Sequence, residues 1–145
     1  PYGSLAALAF GQITSKTLAA LGQHGNLRMT PWRMMLIEDT QNLGLIDGII
    51  TNPNDPLLRV IACTGAPGCT QAQASTRDVA TMLAPHVPQD QKLHVSGCAK
   101  GCAHPRPAST TIVATKSGYD LIRNGQAGDA PEQTNLTPDT LIKAI

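Results

Sequence analysis

Two pairs of cysteines constrain this chain more than any other feature. They follow the pattern Cys63-x5-Cys69, then 28 residues, then Cys98-x3-Cys102. Each pair comes directly after a short aliphatic run that reads as a strand, Leu57 to Ala62 and Lys92 to Ser96. Each is also surrounded by glycine: Gly65 and Gly68 in the first loop, Gly97 and Gly101 in the second. Glycine admits the tight turns that bring several thiols toward one point, and it lets backbone N–H groups approach sulfur. Loops at strand ends hold ligands on a rigid frame while leaving them accessible.

That pattern favours an iron–sulfur site on Cys63, Cys69, Cys98 and Cys102. A run from Gln71 to Ala84 with Ala72, Thr76, Val79, Ala80 and Leu83 on one face reads as a helix. Its positive end would then lie at Cys69 and favour a thiolate. Three other readings stay open. Structural zinc prefers two to four residues between paired ligands, which the x5 pair does not offer, although His104 can replace one thiol. Two disulfides, or four unligated buried cysteines, are the remaining readings. Nothing marks the chain as secreted, so a reducing, cytoplasmic compartment is expected, where clustered cysteines are more often metal ligands.

The rest of the chain fits a mixed α+β domain. Only 3% of the 145 residues are aromatic, so the core must be aliphatic. A net charge of +1 with no basic run argues against nucleic acid or a membrane surface as partner. No apolar run approaches the ~20 residues that span a bilayer. The start, Pro1-Tyr2-Gly3, has neither an initiating Met nor a signal-peptide pattern and reads as the interior of a longer chain.

Ile13 to Gly25 reads as a helix capped by Thr14 or Ser15, with Leu18 and Leu21 on one face. Strands are expected at Asn26 to Thr30 and Trp32 to Ile37, and a short helix at Thr40 to Leu45. The breaker Asn52-Pro53-Asn54-Asp55-Pro56 sets a boundary between lobes 1–52 and 53–145. Thr110 to Thr115 and Tyr119 to Ile122 read as a hairpin around Lys116-Ser117-Gly118. The polar stretch Asn124 to Asn135 reads as an exposed loop. The last helix has a full start signal, with Thr137 as cap, Pro138 first, Asp139 near the dipole and Leu136 able to staple onto Leu141.

The segments Ala62-Cys63-Thr64-Gly65-Ala66-Pro67-Gly68-Cys69 and Ser96-Gly97-Cys98-Ala99-Lys100-Gly101-Cys102 together resemble the cluster motif of the nitrite and sulfite reductase superfamily. Leu27-Arg28-Met29-Thr30 resembles its Arg-x-Thr strand. Within the superfamily, Thr30-Pro31-Trp32-Arg33 and the run Gly97 to Pro105 look most like the precorrin-3B synthase family. The resemblance implies a ferredoxin-like half-domain over 1–52 and an α/β lobe binding a [4Fe–4S] cluster over 53–145. It also implies that this chain is the C-terminal half of a pseudo-duplicated unit, inactive without its N-terminal half.

The activity so implied is that of an oxidoreductase of cobalamin biosynthesis, which uses molecular oxygen to hydroxylate precorrin-3A and close a lactone. The resemblance implies a mononuclear non-haem iron that handles oxygen. In the alternative, a sirohaem-dependent sulfite or nitrite reductase, Cys102 bridges to haem iron. A zinc-stabilised, non-catalytic binding module is a further alternative.

A tetrapyrrole partner carries several carboxylates, and Arg28, Arg33, Lys100 and Arg106 are candidates to meet them. Lys100 lies between two ligand cysteines. His104 is a candidate to ligate iron or to donate to an oxygen species. Solvated surface charge, and for His104 a structural place in the turn before Pro105, are the plain alternatives. His24, His86 and His94 have no motif support. The electron donor is not legible.

Overall fold

The computed structural model describes residues 3–145; Pro1 and Tyr2, and the reading of the chain start made on them, lie outside it. The chain forms two compact units, the first ending at Leu58 and the second running from Arg59 to Ile145.

The first unit is built on strand β1 (Gly3–Ala7), helix α1 (Ser15–Gly22), strand β2 (Leu27–Met29) and strand β3 (Met34–Glu38). The sheet order is β1-β3-β2, and β3 is antiparallel to both neighbours. β1 and β2 are therefore parallel, joined through α1 and separated by β3. This is the split βαβ arrangement of ferredoxin-like folds, as the sequence resemblance implies. Ala6, Leu21, Met35, Ile37 and Leu43 make the core. Thr14 caps α1 by accepting from the Thr17 N–H at 3.0 Å.

Three details of this unit differ from the sequence reading. α1 buries Leu21 and Thr17 and leaves Leu18 40% exposed. β1 carries no sequence expectation. The expected helix at Thr40 to Leu45 does not form. Asp39 and Gly44 take left-handed conformations (φ 60° and 62°), and the Gly44 N–H donates to the Asn42 side chain at 2.8 Å. That local turn replaces the helical hydrogen bonds.

The second unit is a five-stranded sheet in the order β4-β5-β6-β7-β8. β4 (Val60–Ala62), β5 (Leu93–Ser96) and β6 (Ala108–Thr115) are parallel, while β7 (Gly118–Gly125) and β8 (Gln133–Leu136) continue antiparallel. The run expected as a strand from Leu57 begins instead as a 3-10 turn, Pro56–Arg59. The hairpin around Lys116 to Gly118 forms as expected. The polar stretch after Asn124 is only partly a loop, because β8 occupies its end and pairs with β7.

Helices α2 (Arg77–Leu83) and α3 (Pro138–Ala144) touch one another, and α2 packs on β4 and β5. Thr137 and Thr140 form the reciprocal cap of α3, with Pro138 in its first turn. Arg123 on β7 donates to Thr110 on β6 and to the Ala144 carbonyl of α3, which fixes α3 on the face carrying Leu93, Thr110 and Arg123. The opposite face presents Ile61, His94, Ser96, Thr111, Val113 and Ile122 by register. It is covered by the segment after β5 and by Ala127, which packs with Val113 and Ile122. Among the described residues no helix is long and apolar enough to cross a membrane.

Candidate functional site

Both cysteine loops leave the carboxyl ends of adjacent parallel strands, Cys63 after β4 and Cys98 after β5. All four cysteines are free thiols; Cys63, Cys69 and Cys98 are half-buried and Cys102 is exposed. The two-disulfide reading therefore has no counterpart in the structure.

The loops are tied together at Gly97. Its N–H donates to Cys63 Sγ at 3.2 Å, and its carbonyl accepts from the Gln73 N–H at 2.8 Å. A Cβ on Gly97 would lie 2.7 Å from Ala72 Cβ, so this approach requires glycine. The Cys63 N–H continues the ladder onto the Val95 carbonyl.

The first loop is closed by its own backbone. The Cys69 N–H donates to the Gly65 carbonyl at 2.8 Å, and the Ala66 N–H donates to the Ala74 carbonyl at 3.0 Å. Gly65 is left-handed (φ 68°) and lies against Thr76. Thr76 is fully buried and donates through Oγ1 to the Cys63 carbonyl at 2.7 Å. Tyr119 on β7 reaches over to the Ser75 carbonyl at 3.4 Å. Burial, and secondarily the carboxylate of Asp78, push the Tyr119 phenol above its ordinary value and keep it a neutral donor.

These bonds correct one expectation. The helix begins at Arg77, not Gln71, because Ala72, Gln73 and Ala74 spend backbone groups on the two cysteine loops. Cys69 thus stands eight positions before the helix, and the argument from a helix dipole at Cys69 falls away. Thr76, the residue before the helix, makes no side-chain cap, and Ser75 Oγ donates to the Asp78 carboxylate of the first turn at 2.6 Å.

The second loop is anchored from the sheet. Ser96 Oγ donates to the Cys98 carbonyl at 2.7 Å. The His104 N–H donates to the Gly101 carbonyl at 3.0 Å, closing a turn in which Gly101 is left-handed (φ 62°). Lys100 and Arg106 are exposed and His104 is half-buried. The His104 ring packs edge-to-face on His94, with centroids 5.7 Å apart and planes at 74°. Sequence reasoning set His94 aside, yet it is fully buried on β5 beneath this turn. Burial, and then the neighbouring His104, push its pKa down to about 4, so its ring is neutral.

The two arginines belong to the first unit. Arg28 on β2 is paired with Glu38 on β3, Nε to Oε1 at 2.8 Å, with its side chain largely exposed. Arg33 takes a left-handed conformation (φ 57°) in the turn between β2 and β3, and its carbonyl accepts from the Leu8 N–H at 3.1 Å.

Among the described residues no three His, Cys, Asp or Glu side chains converge as ligands of one metal ion. Four free thiols on two glycine-jointed loops, with an N–H already directed at Cys63 Sγ, match an iron–sulfur cluster in donor chemistry.

No family model matches the chain. Over 143 residues it is 32% identical to a precorrin-3B synthase from Sinorhizobium sp, a match covering 86% of this chain and 31% of that protein. The sequence likeness is to precorrin-3B synthase. The structure of the Mycobacterium tuberculosis NirA protein shares the fold, with a TM-score of 0.64 and 19% identity over 97% of this chain and 33% of that one. The sequence likeness agrees with the family resemblance read from the two cysteine loops, and the likeness to NirA is one of fold. The chain spans about a third of each of these relatives.

Proposed function

We propose that this chain is the cluster-bearing part of an oxidoreductase of the precorrin-3B synthase type, acting on a tetrapyrrole in cobalamin biosynthesis. The observation that carries the reading is the joining of two cysteine loops at one point, Gly97 N–H to Cys63 Sγ, in a chain similar along most of its length to a precorrin-3B synthase. Cys63, Cys69, Cys98 and Cys102 would hold a [4Fe–4S] cluster. When bound, that group supplies single electrons.

In the proposed reaction one atom of molecular oxygen enters precorrin-3A and the other leaves as water, with two electrons from a reductant and two protons. The inserted oxygen bridges a carbon–carbon double bond as an epoxide. A side-chain carboxylate attacks one epoxide carbon to form the lactone C–O bond. The epoxide C–O bond that breaks leaves the oxygen as the hydroxyl, which takes up a proton. The residues of this chain bind and deliver protons. Lys100, exposed between Cys98 and Cys102, offers a cation to a substrate carboxylate, and Arg106 is exposed beyond the same turn. Arg28 and Arg33 are candidates for carboxylates through the motif resemblance alone, and Arg28 is paired with Glu38. His104, half-buried with its ring braced by His94, would hold or pass a proton. The N-terminal part of the parent chain would complete the pocket. The same site in a sirohaem-dependent reductase would set Cys102 against haem iron, but the sequence likeness favours the synthase.

Anaerobic reconstitution followed by metal and sulfide analysis tests this. Iron and acid-labile sulfide in equal amounts, with broad visible absorbance, are expected. Stoichiometric zinc without sulfide would sink the reading. Cys69→Ser should lose the cluster; a full cluster in that variant would show the ligand set to be wrong. A sharp sirohaem band in the full-length protein would select the reductase.

A further inference from the structure

The sheet face beneath the second cysteine loop holds three buried polar side chains, Ser96, Thr111 and His94. Two of them are spent on fixing backbone. Ser96 donates to the Cys98 carbonyl and Thr111 to the Gly125 carbonyl, both at 2.7 Å. His94 has no such use. Both of its ring nitrogens are buried and have no hydrogen-bond partner among the described residues.

A neutral imidazole carries one N–H donor and one lone pair, and buried polar groups in native folds are almost always paired. Packing does not explain the imidazole, because the same layer accepts Ile61, Val113 and Ile122. Its placement does. Gly101 lies directly over the ring, and a Cβ there would stand 3.7 Å from His94 Cε1. His104 braces the ring from the side at 5.7 Å between centroids. The imidazole is thus clamped between the sheet and the turn from Gly101 to His104 that carries Cys102. Across the site a backbone N–H already points at sulfur, from Gly97 to Cys63.

The geometry points to His94 as a positioning residue of the cysteine site: a buried imidazole N–H, clamped under Gly101 by His104, that donates to the anionic sulfur atoms gathered by the second cysteine loop. This rests on the cluster reading above. Donors to cluster sulfurs stabilise the more negative, reduced state, so losing one lowers the reduction potential.

The test uses the anaerobically reconstituted protein with its histidines labelled with ¹⁵N. Pulsed EPR of the reduced cluster should show a weak ¹⁵N coupling that survives His104→Ala. No such coupling would overturn the proposal without any variant at His94. His94→Phe keeps a flat ring and removes both nitrogens; it should retain iron and sulfide, lose the coupling and shift the potential to a more negative value. His94→Gln, which restores a donor, should recover part of that shift. An unchanged potential in a cluster-loaded His94→Phe protein would equally overturn the proposal. A wild-type protein that assembles no cluster would instead bring down the reading on which this one rests.

Discussion

The Gly97 N–H donates to Cys63 Sγ at 3.2 Å, so the loop after one parallel strand is bonded to the thiol at the end of its neighbour. Gly97→Ala would drive a methyl to 2.7 Å from Ala72 Cβ and 3.5 Å from Cys63 Sγ. The loops must then part. Overpacking of this kind costs about 1–3 kcal/mol. The expected outcome is a thermal midpoint lower by several degrees and a reduced yield of iron and sulfide on reconstitution.

Thr76 holds the first loop from below. Thr76→Val keeps the shape and deletes the bond to the Cys63 carbonyl, so stability should fall by about 1–2 kcal/mol in urea unfolding. Thr76→Ser should restore most of it, because the hydroxyl is kept.

Gly65 rests on the same threonine. Gly65→Ala would place Cβ 2.6 Å from Thr76 Oγ1 and 2.7 Å from its backbone nitrogen, at a φ of 68°. The left-handed conformation alone costs about 1–2 kcal/mol, and the clash adds to it. A larger loss than for Thr76→Val is expected; equal or higher stability would contradict the described loop.

His94 makes the chain sensitive to acid. Its folded-state pKa, about 4, lies below the ordinary histidine value of 6.5, so the unfolded chain binds the proton first as pH falls. Stability is complete above about pH 6.5, declines toward pH 4 and flattens below, by about 3 kcal/mol in all. Urea unfolding at about pH 7 and about pH 5 should show this loss in the wild type and a smaller one in His94→Leu. Equal slopes in both proteins would place the acid sensitivity elsewhere.

The last helix offers a check on local structure. Thr137 accepts from the Thr140 N–H while Thr140 accepts from the Thr137 N–H. Thr137→Ala should cost about 1 kcal/mol, read as a lower thermal midpoint.

Much of the site is legible in the chain itself. The cysteine spacing, the glycines beside it and the aliphatic run before each pair place both loops at strand ends. Thr137-Pro138-Asp139 marks its helix correctly because a cap is made by residues three apart. The Gln71 to Ala84 run misleads because Ala72 and Thr76 have helical spacing but other partners. Ala72 covers Gly97, and Thr76 serves the Cys63 carbonyl. His94 is hard to weigh for the same reason. Within Leu93-His94-Val95-Ser96 it reads as an isolated polar residue, although all four positions are buried.

The sequence by itself determined which atoms are available: four thiols on glycine-jointed turns, a capped last helix, and aliphatic strands to carry them. These depend on neighbours a few residues apart. Tertiary structure alone decided which thiol receives the Gly97 N–H, where α2 begins and which imidazole lies under Gly101. Those are contacts between strands distant in sequence, where burial leaves a polar group only the partners that sheet register brings to it.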